Sequence, residues 1–314
     1  MEKKMFMRVL SVLAVMLLTV GAVSAKDLKV LMIGNSFSIC VGKFLPQMVR
    51  CFPGNKLKLT SCYIGGCSFE THWNNFLEAK NDPAFSPYHI TIWDSTTLKK
   101  PVYKGNVNSL LKSEKYDIVT IQQASRFSVD YATYQPYADK LIAQIKKYQP
   151  QAEIIIQQTW SYRADAPFFR ETGMDNETMY QKLDEAYHAF AKDYGLRMIP
   201  TGYAVQISRK LSEKKFENYD WEILDTLQWP DLPRQAGDVV GNFRWRKNVE
   251  GEMVIYRDTN HLNMRGEYLQ AALWCGFLYD IDPEEIRYVA PKIGKTDAAF
   301  LRKCAKTALL EFLQ

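Results

Sequence analysis

Two short segments carry residue types that can do nucleophilic chemistry. Near the start, Gly34-Asn35-Ser36 follows the apolar run 28–33 (LKVLMI). A serine at a strand-to-helix turn presents its hydroxyl at a helix N-terminus, where backbone N–H groups can hold a developing oxyanion. The same position also suits a helix cap, a role open to Ser36 or Ser38. Near the end, Asp258-Thr259-Asn260-His261 sets an aspartate three residues before a histidine. A carboxylate there can accept from one ring nitrogen, fix the tautomer and leave the other nitrogen free to take a serine proton. Asp258 could instead be a turn or cap residue for the helix that follows. Of the four histidines, His188 falls inside a long amphipathic stretch and His89 has no obvious partner, so His261 is the candidate base.

The elements that must bring these segments together read as alternating strands and helices. Residues 28–33, 57–64, 118–121, 153–158 and 197–199 are short apolar or β-branched runs bounded by turn residues, and read as strands. Between them, 41–51, 69–79, 107–113, 134–148 and 176–194 show helical spacing, as do 262–278 and 297–313 after the last strand. Residues 88–103 read as a hairpin-like insertion, and 213–254, rich in Trp, Asp and Pro, as an irregular surface excursion. This alternation predicts an α/β fold, a three-layer α/β/α sandwich with a mainly parallel, flavodoxin-like central sheet. Open parallel sheets place ligands at the carboxyl ends of their strands. Four polar marks fall there: Gly34-Asn35-Ser36, Gly65-Gly66, Gln122-Gln123 and Gln158-Thr159-Trp160.

Composition narrows the class. The 314 residues are 47% apolar and 24% charged, those of an ordinary globular protein. Residues 1–25 combine Lys3, Lys4 and Arg8 with an apolar run and end in Val23-Ser24-Ala25, the pattern of a cleaved signal peptide. The expectation is a secreted or periplasmic protein of one domain, 26–314, with no stable membrane insertion after cleavage. That part keeps 37 basic against 34 acidic residues, an excess of +3 with no basic run, so nucleic acid is not the expected partner. Six cysteines in an exported chain permit disulfides, Cys62–Cys67 among them, but free buried thiols fit equally. No metal or cofactor is expected: the chain lacks His-Glu-x-x-His, a phosphate-loop signature, Gly-x-Gly-x-x-Gly and the Gly-x-Ser-x-Gly elbow.

With these residues laid out, Ile33-Gly34-Asn35-Ser36-Phe37-Ser38 resembles the first block of the SGNH (GDSL-like) hydrolase superfamily, and Asp258-Thr259-Asn260-His261-Leu262-Asn263 resembles its last, Asp-x-x-His-Leu. Tyr63-Ile64-Gly65-Gly66-Cys67-Ser68 falls where the superfamily keeps its second-block glycine. Tyr63 to Trp73 and Ile121 to Ser125 are similar to a little-characterised branch common in exported bacterial proteins. The resemblance implies a catalytic triad of Ser36, His261 and Asp258, with Gly65 or Gly66 contributing an oxyanion N–H. The third block departs, because Gln122-Gln123-Ala124-Ser125-Arg126 stands where most members have Gly-x-Asn-Asp. A glutamine, Gln123 before Gln122, is expected to supply the missing donor. Trp73, His72, Trp160 and Tyr162 follow strand ends and could line the site mouth against a sugar ring, or simply pack. The expected activity is serine-esterase deacylation of a carbohydrate, with a small-molecule or polysaccharide ester as substrate. The alternative is a non-catalytic glycan-binding protein on the same scaffold.

Overall fold

The computed structural model describes residues 25–219 and 221–312, so the expected signal segment falls outside it except for its last residue. The chain runs β1 (Asp27–Gly34), α1 (Ser36–Ile39), α2 (Leu45–Val49), β2 (Lys56–Tyr63), α3 (Phe69–Asn81), β3 (Tyr88–Asp94), β4 (Val102–Gly105), α4 (Val107–Ser113), β5 (Ile118–Ile121), α5 (Tyr137–Tyr148) and β6 (Glu153–Gln157). It continues through α6 (Pro167–Thr172), α7 (Asn176–Tyr194), β7 (Arg197–Ile199), α8 (Thr201–Leu211), α9 (Trp221–Thr226), β8 (Val240–Lys247), β9 (Met253–Leu262), α10 (Met264–Tyr279) and α11 (Lys295–Phe312).

Seven strands form one sheet in the order β4-β3-β2-β1-β5-β6-β7. β2, β1, β5, β6 and β7 are parallel, and β3 is antiparallel to both β2 and β4. The parallel strands are covered on both faces, which is why Val30–Ile33 reads as an unbroken apolar run and Ile118–Ile121 as one interrupted only by Thr120, and both are buried throughout. The helices α3, α4, α5 and α7 cover one face, and α2, α8, α10 and α11 the other. The fold is thus the expected three-layer α/β/α sandwich. Its parallel strands reverse direction of growth at β1, with β2 on one side and β5 on the other. Such a switch point opens a crevice at the strand ends, and Ser36 lies directly over it.

Three readings need correction. The helix expected over 41–51 is broken: a 3-10 turn at Cys40–Lys43 separates α1 from α2. Pro46 lacks the N–H that a continuous helix would need, and Gly42 lies so close to Trp93 that an added Cβ would fall 2.5 Å from its ring. The segment 88–103 is no insertion, because β3 and β4 complete the sheet's edge. Residues 213–254 are not an irregular excursion either. They contain α9 and most of the β8–β9 hairpin, whose far end delivers Asp258 and His261. All six cysteines are free thiols.

Helix α10 has almost no polar side, with every residue from Tyr268 to Tyr279 buried. It lies between the sheet and the helices α2, α8 and α11, as expected of a helix that is apolar all round. Its N-terminus follows His261 by three residues, so the helix's packing fixes where that histidine emerges. Leu273, fully buried in its middle, is expected to lose about 2–5 kcal/mol of stability on replacement by Ala. Urea denaturation of Leu273→Ala checks this, and an unchanged midpoint would contradict the assigned core.

Candidate active site

Ser36 opens α1 immediately after β1. Asn35 caps the helix: its Oδ1 accepts from the Phe37 amide at 3.0 Å and from Gln122 Nε2 at 2.7 Å, while its Nδ2 donates to the Cys67 carbonyl at 3.0 Å. One buried side chain thereby ties the ends of β1 and β5 to the loop after β2. Asn35, not Ser36, is the cap, which leaves the Ser36 hydroxyl free for another partner. That partner is His261, whose Nε2 is 2.8 Å from Ser36 Oγ across 225 residues of chain.

The histidine is oriented from behind. Its Nδ1 is 3.0 Å from Asp258 Oδ2 and 3.2 Å from Oδ1. Asp258 Oδ1 also accepts from the Asn260 and His261 amides at 3.1 and 3.0 Å. Burial alone would raise the Asp258 pKa, but the hydrogen bonds from the His261 ring and from these two amides outweigh it and hold the carboxyl below its ordinary value. A carboxylate can only accept, so Nδ1 carries the proton and Nε2 is left to accept from the serine. The helix-cap role considered for Asp258 belongs to Asn263, whose Oδ1 accepts from Arg265 and Gly266 at the start of α10.

Two hydrogen bonds from the segment after β6 pin this end of β9. Trp160 Nε1 donates to the Asn260 carbonyl at 2.9 Å, and the Arg163 amide donates to the Thr259 carbonyl at 2.9 Å. Trp160 is fully buried and stacks on Phe37 with centroids 4.1 Å apart. Phe37 in turn meets the His261 ring at 5.6 Å. Arg163 is fully buried, paired with Asp165 at 2.7 Å and held between the rings of Phe216 and Phe243.

A cleft of about 580 Å³ opens beside Ser36 and His261. Its floor near the serine is the turn Ile64–Cys67, closed by the Cys67 amide donating to the Ile64 carbonyl at 3.4 Å. Gly66 takes a φ of +63° there, a conformation that favours glycine. Among the described residues, the Gly65 and Gly66 amides meet no protein acceptor. The walls include Ser125, Arg126, Tyr162 and Phe168. Tyr162 Oη is 2.7 Å from Ser125 Oγ, and Arg126 pairs with Glu171 at 2.8 Å across the mouth. A second depression of about 400 Å³ shares Ser36 and His261 and runs along the β8–β9 hairpin past Asn242, Arg244 and Tyr256.

Several expected positions are not at the cleft. Gln123 is turned into the scaffold: its Oε1 accepts from the Phe69 and Ala124 amides, and its Nε2 donates to the Thr133 carbonyl. Gln122 donates an amide N–H to Asn35. Both side chains are buried and neither borders the cleft, so the expected glutamine donor is absent from it. Trp73 packs on Phe76 and under Lys140 along α3. His72 is buried against Tyr88, its Nδ1 3.0 Å from the phenol oxygen, and burial lowers its pKa to about 3, so it stays neutral. Trp160 braces the site from below. Of these aromatic candidates only Tyr162 reaches the cleft. Sequence reasoning missed Arg126, Phe168 and Glu171 as wall residues. Proline at the first position of α6 was the available signal for the short helix that carries the last two.

A family model described as "Domain of unknown function (DUF4886)" matches residues 29–224, a span that includes Ser36 and the Gly65-Gly66 turn but stops before the β8–β9 hairpin. No curated protein matches the sequence. The structure is similar to that of a DUF4886 family protein from Bacteroides uniformis, with 24% identity, a TM-score of 0.73, and coverage of 92% of this chain and 97% of the other. It is similar more loosely to a candidate SGNH hydrolase from Slackia heliotrinireducens (17% identity, TM-score 0.47, 81% of this chain and 100% of the other). An acetyl-xylooligosaccharide esterase from Geobacillus is a comparable match (13%, 0.46, 85% and 99%).

Because Asn35 caps α1 and joins three loops at once, Asn35→Ala should cost about 2–4 kcal/mol, combining a lost cap with newly unpaired buried groups. Guanidinium denaturation measures it, and a cost under about 0.5 kcal/mol, that of an ordinary surface change, would contradict the role given to Asn35.

Proposed function

We propose, from the premise that this chain belongs to the DUF4886 family, that it is a serine esterase in which Ser36 is the nucleophile, His261 the general base and Asp258 the orienting acid. The observation that carries the reading is the chain of contacts from Ser36 Oγ to His261 Nε2 at 2.8 Å and from His261 Nδ1 to Asp258 Oδ2 at 3.0 Å. Both are within the reach required for proton transfer.

In the first half of the reaction His261 Nε2 takes the Ser36 proton as Oγ attacks the ester carbonyl. The oxyanion that forms is held by the Ser36 N–H and by the Gly65 or Gly66 N–H, the backbone donors that border the cleft floor. The tetrahedral intermediate collapses to an acyl-serine, and the leaving alkoxide takes the proton from His261. In the second half a water gives its proton to His261 and attacks the acyl carbon. Collapse then releases the carboxylic acid and returns the proton to Ser36 Oγ. Asp258 stays ionised throughout and stabilises the imidazolium that forms twice per cycle. With both glutamines committed to the scaffold, the hole rests on backbone N–H groups. A third donor of the kind a side chain supplies is worth roughly 3–4 kcal/mol in the barrier, so turnover should be modest.

The substrate class we favour is an acylated carbohydrate. Supporting it are the open cleft, the aromatic walls Tyr162 and Phe168, and polar groups at Ser125, Arg126 and Asn260 that can meet hydroxyls. The residues before Ala25 have the pattern of an export signal, which agrees with an extracellular or periplasmic glycan. No helix among the described residues is long and apolar enough to cross a membrane.

Hydrolysis of p-nitrophenyl acetate should fall to the uncatalysed background in Ser36→Ala, and Asp258→Asn should lose about 10⁴-fold in kcat by favouring the wrong tautomer. Equal rates in wild type and Ser36→Ala would remove the esterase reading. Glycan binding that survives with no turnover of any acylated sugar would favour a non-catalytic lectin-like role.

A further inference from the structure

The cleft described above occupies one side of the Ser36–His261 pair; the other side is the groove along the β8–β9 hairpin. In this two-stranded sheet Asn242 pairs with Asp258, Arg244 with Tyr256 and Arg246 with Val254. Alternate residues of a strand share a face, so Asn242, Arg244 and Arg246 leave Asp258 in a line. Successive members of that line are spaced by about 7 Å. Tyr256 lies between the two guanidiniums, 5.0 Å from that of Arg244 and 4.6 Å from that of Arg246. Asn242, Arg244 and Arg246 are exposed.

The charges along this groove do not cancel. Glu267 is paired with Lys43 and Asp225, farther along, with Arg257, which leaves Arg244 and Arg246 against the single carboxylate Asp258, itself turned to the His261 ring. Among the described residues, no carboxylate lies within ion-pair distance of Arg244 or Arg246. By contrast, Arg126 in the other cleft already holds Glu171. The excess cations are therefore all on the His261 side, the side toward which a leaving alkoxide must depart to collect its proton.

We propose that the alcohol part of the substrate is an anionic glycan, bearing carboxylate or sulfate groups, which lies along the hairpin with its charges on Arg244 and Arg246, the two guanidiniums positioned by their contacts with the Tyr256 ring. Guanidinium matches either anion by paired N–H donation. This inference rests on the esterase reading for the position of the ester, but the binding it describes does not require turnover.

The test compares three O-acetylated oligosaccharides of equal length: a neutral xylo-oligosaccharide, an oligogalacturonate, and a sulfated xylo-oligosaccharide. At low salt the wild type should show a kcat/KM about five- to tenfold higher on at least one charged substrate than on the neutral one, two exposed ion pairs each contributing a fraction of that. The preference should vanish near 1 M NaCl, where the Debye length is about 3 Å. Arg244→Gln/Arg246→Gln should bring the ratio to about one, and Arg244→Lys/Arg246→Lys should retain only part of it, since charge is kept but paired N–H donation is lost. Which charged substrate leads separates carboxylate from sulfate recognition.

In parallel, calorimetric binding of the same three oligosaccharides to Ser36→Ala reads the groove with no chemistry. Salt-sensitive binding of a charged oligosaccharide, lost on adding the two Gln substitutions, supports the proposal even if the wild type hydrolyses nothing, an outcome that would remove only the esterase reading. Equal affinity for charged and neutral oligosaccharides, no binding of either charged one, or a preference that survives the Gln substitutions would overturn it.

Discussion

The site depends on one long-range contact: a hydroxyl on the first helix and an imidazole on the last strand meet at 2.8 Å although 225 residues separate them. Neither segment can hold that geometry by itself. α1 is a single turn, and β9 belongs to a two-stranded hairpin that lies outside the main sheet. A hairpin of two strands is marginal in isolation. What fixes the distance is the packing behind it. Phe37 stacks on Trp160, Trp160 donates to the Asn260 carbonyl, and Arg163 holds Thr259. Helix α1 is anchored by β6 and α10 as well, since Gln157 and Gln270 both donate to the Phe37 carbonyl, at 2.6 and 2.9 Å. Ser36 and His261 are thus referenced to one buried aromatic pair, not to each other alone.

Polar burial follows the same plan. The strand ends of an open parallel sheet expose backbone groups that must find partners, and this chain meets that need with amides. Asn35, Gln122 and Gln123 together bond four loop segments. A side chain so employed cannot also point into the cleft. The glutamines at the end of β5 keep the crevice in shape, and the backbone turn at Gly65-Gly66 is left bordering the cleft.

The sequence made the sheet legible because parallel strands buried on both faces are compositionally distinct: LKVLMI at β1 and EIII at β6 admit few other readings. The positions of Ser36, Gly65-Gly66 and His261 followed from strand ends and from the three-residue spacing to Asp258. Less was legible where a residue's role is set by its partners across space. Gln123 has the right type and place for an oxyanion donor, and only the contacts to Phe69 and Thr133 show where its amide points. Trp73 and Trp160 look alike in sequence, yet one packs along an outer helix and the other lies beneath the loop that carries His261. The β8–β9 hairpin was obscured by the Trp, Asp and Pro residues that precede it, although VGNFRWRK alternates as a strand should. Its arginine pattern gained meaning only when register placed Arg244 one step from Asp258.

The most direct measurement of the central claim is covalent labelling by a fluorophosphonate, read by intact mass and peptide mapping. A serine whose proton is taken by a neighbouring imidazole attacks such a reagent, and an unactivated hydroxyl does not. The structure predicts one adduct per chain, on the peptide containing Ser36, and its loss when His261 is replaced by Ala. A chain that takes up no label, takes it on another residue, or labels equally well without His261 would contradict the account.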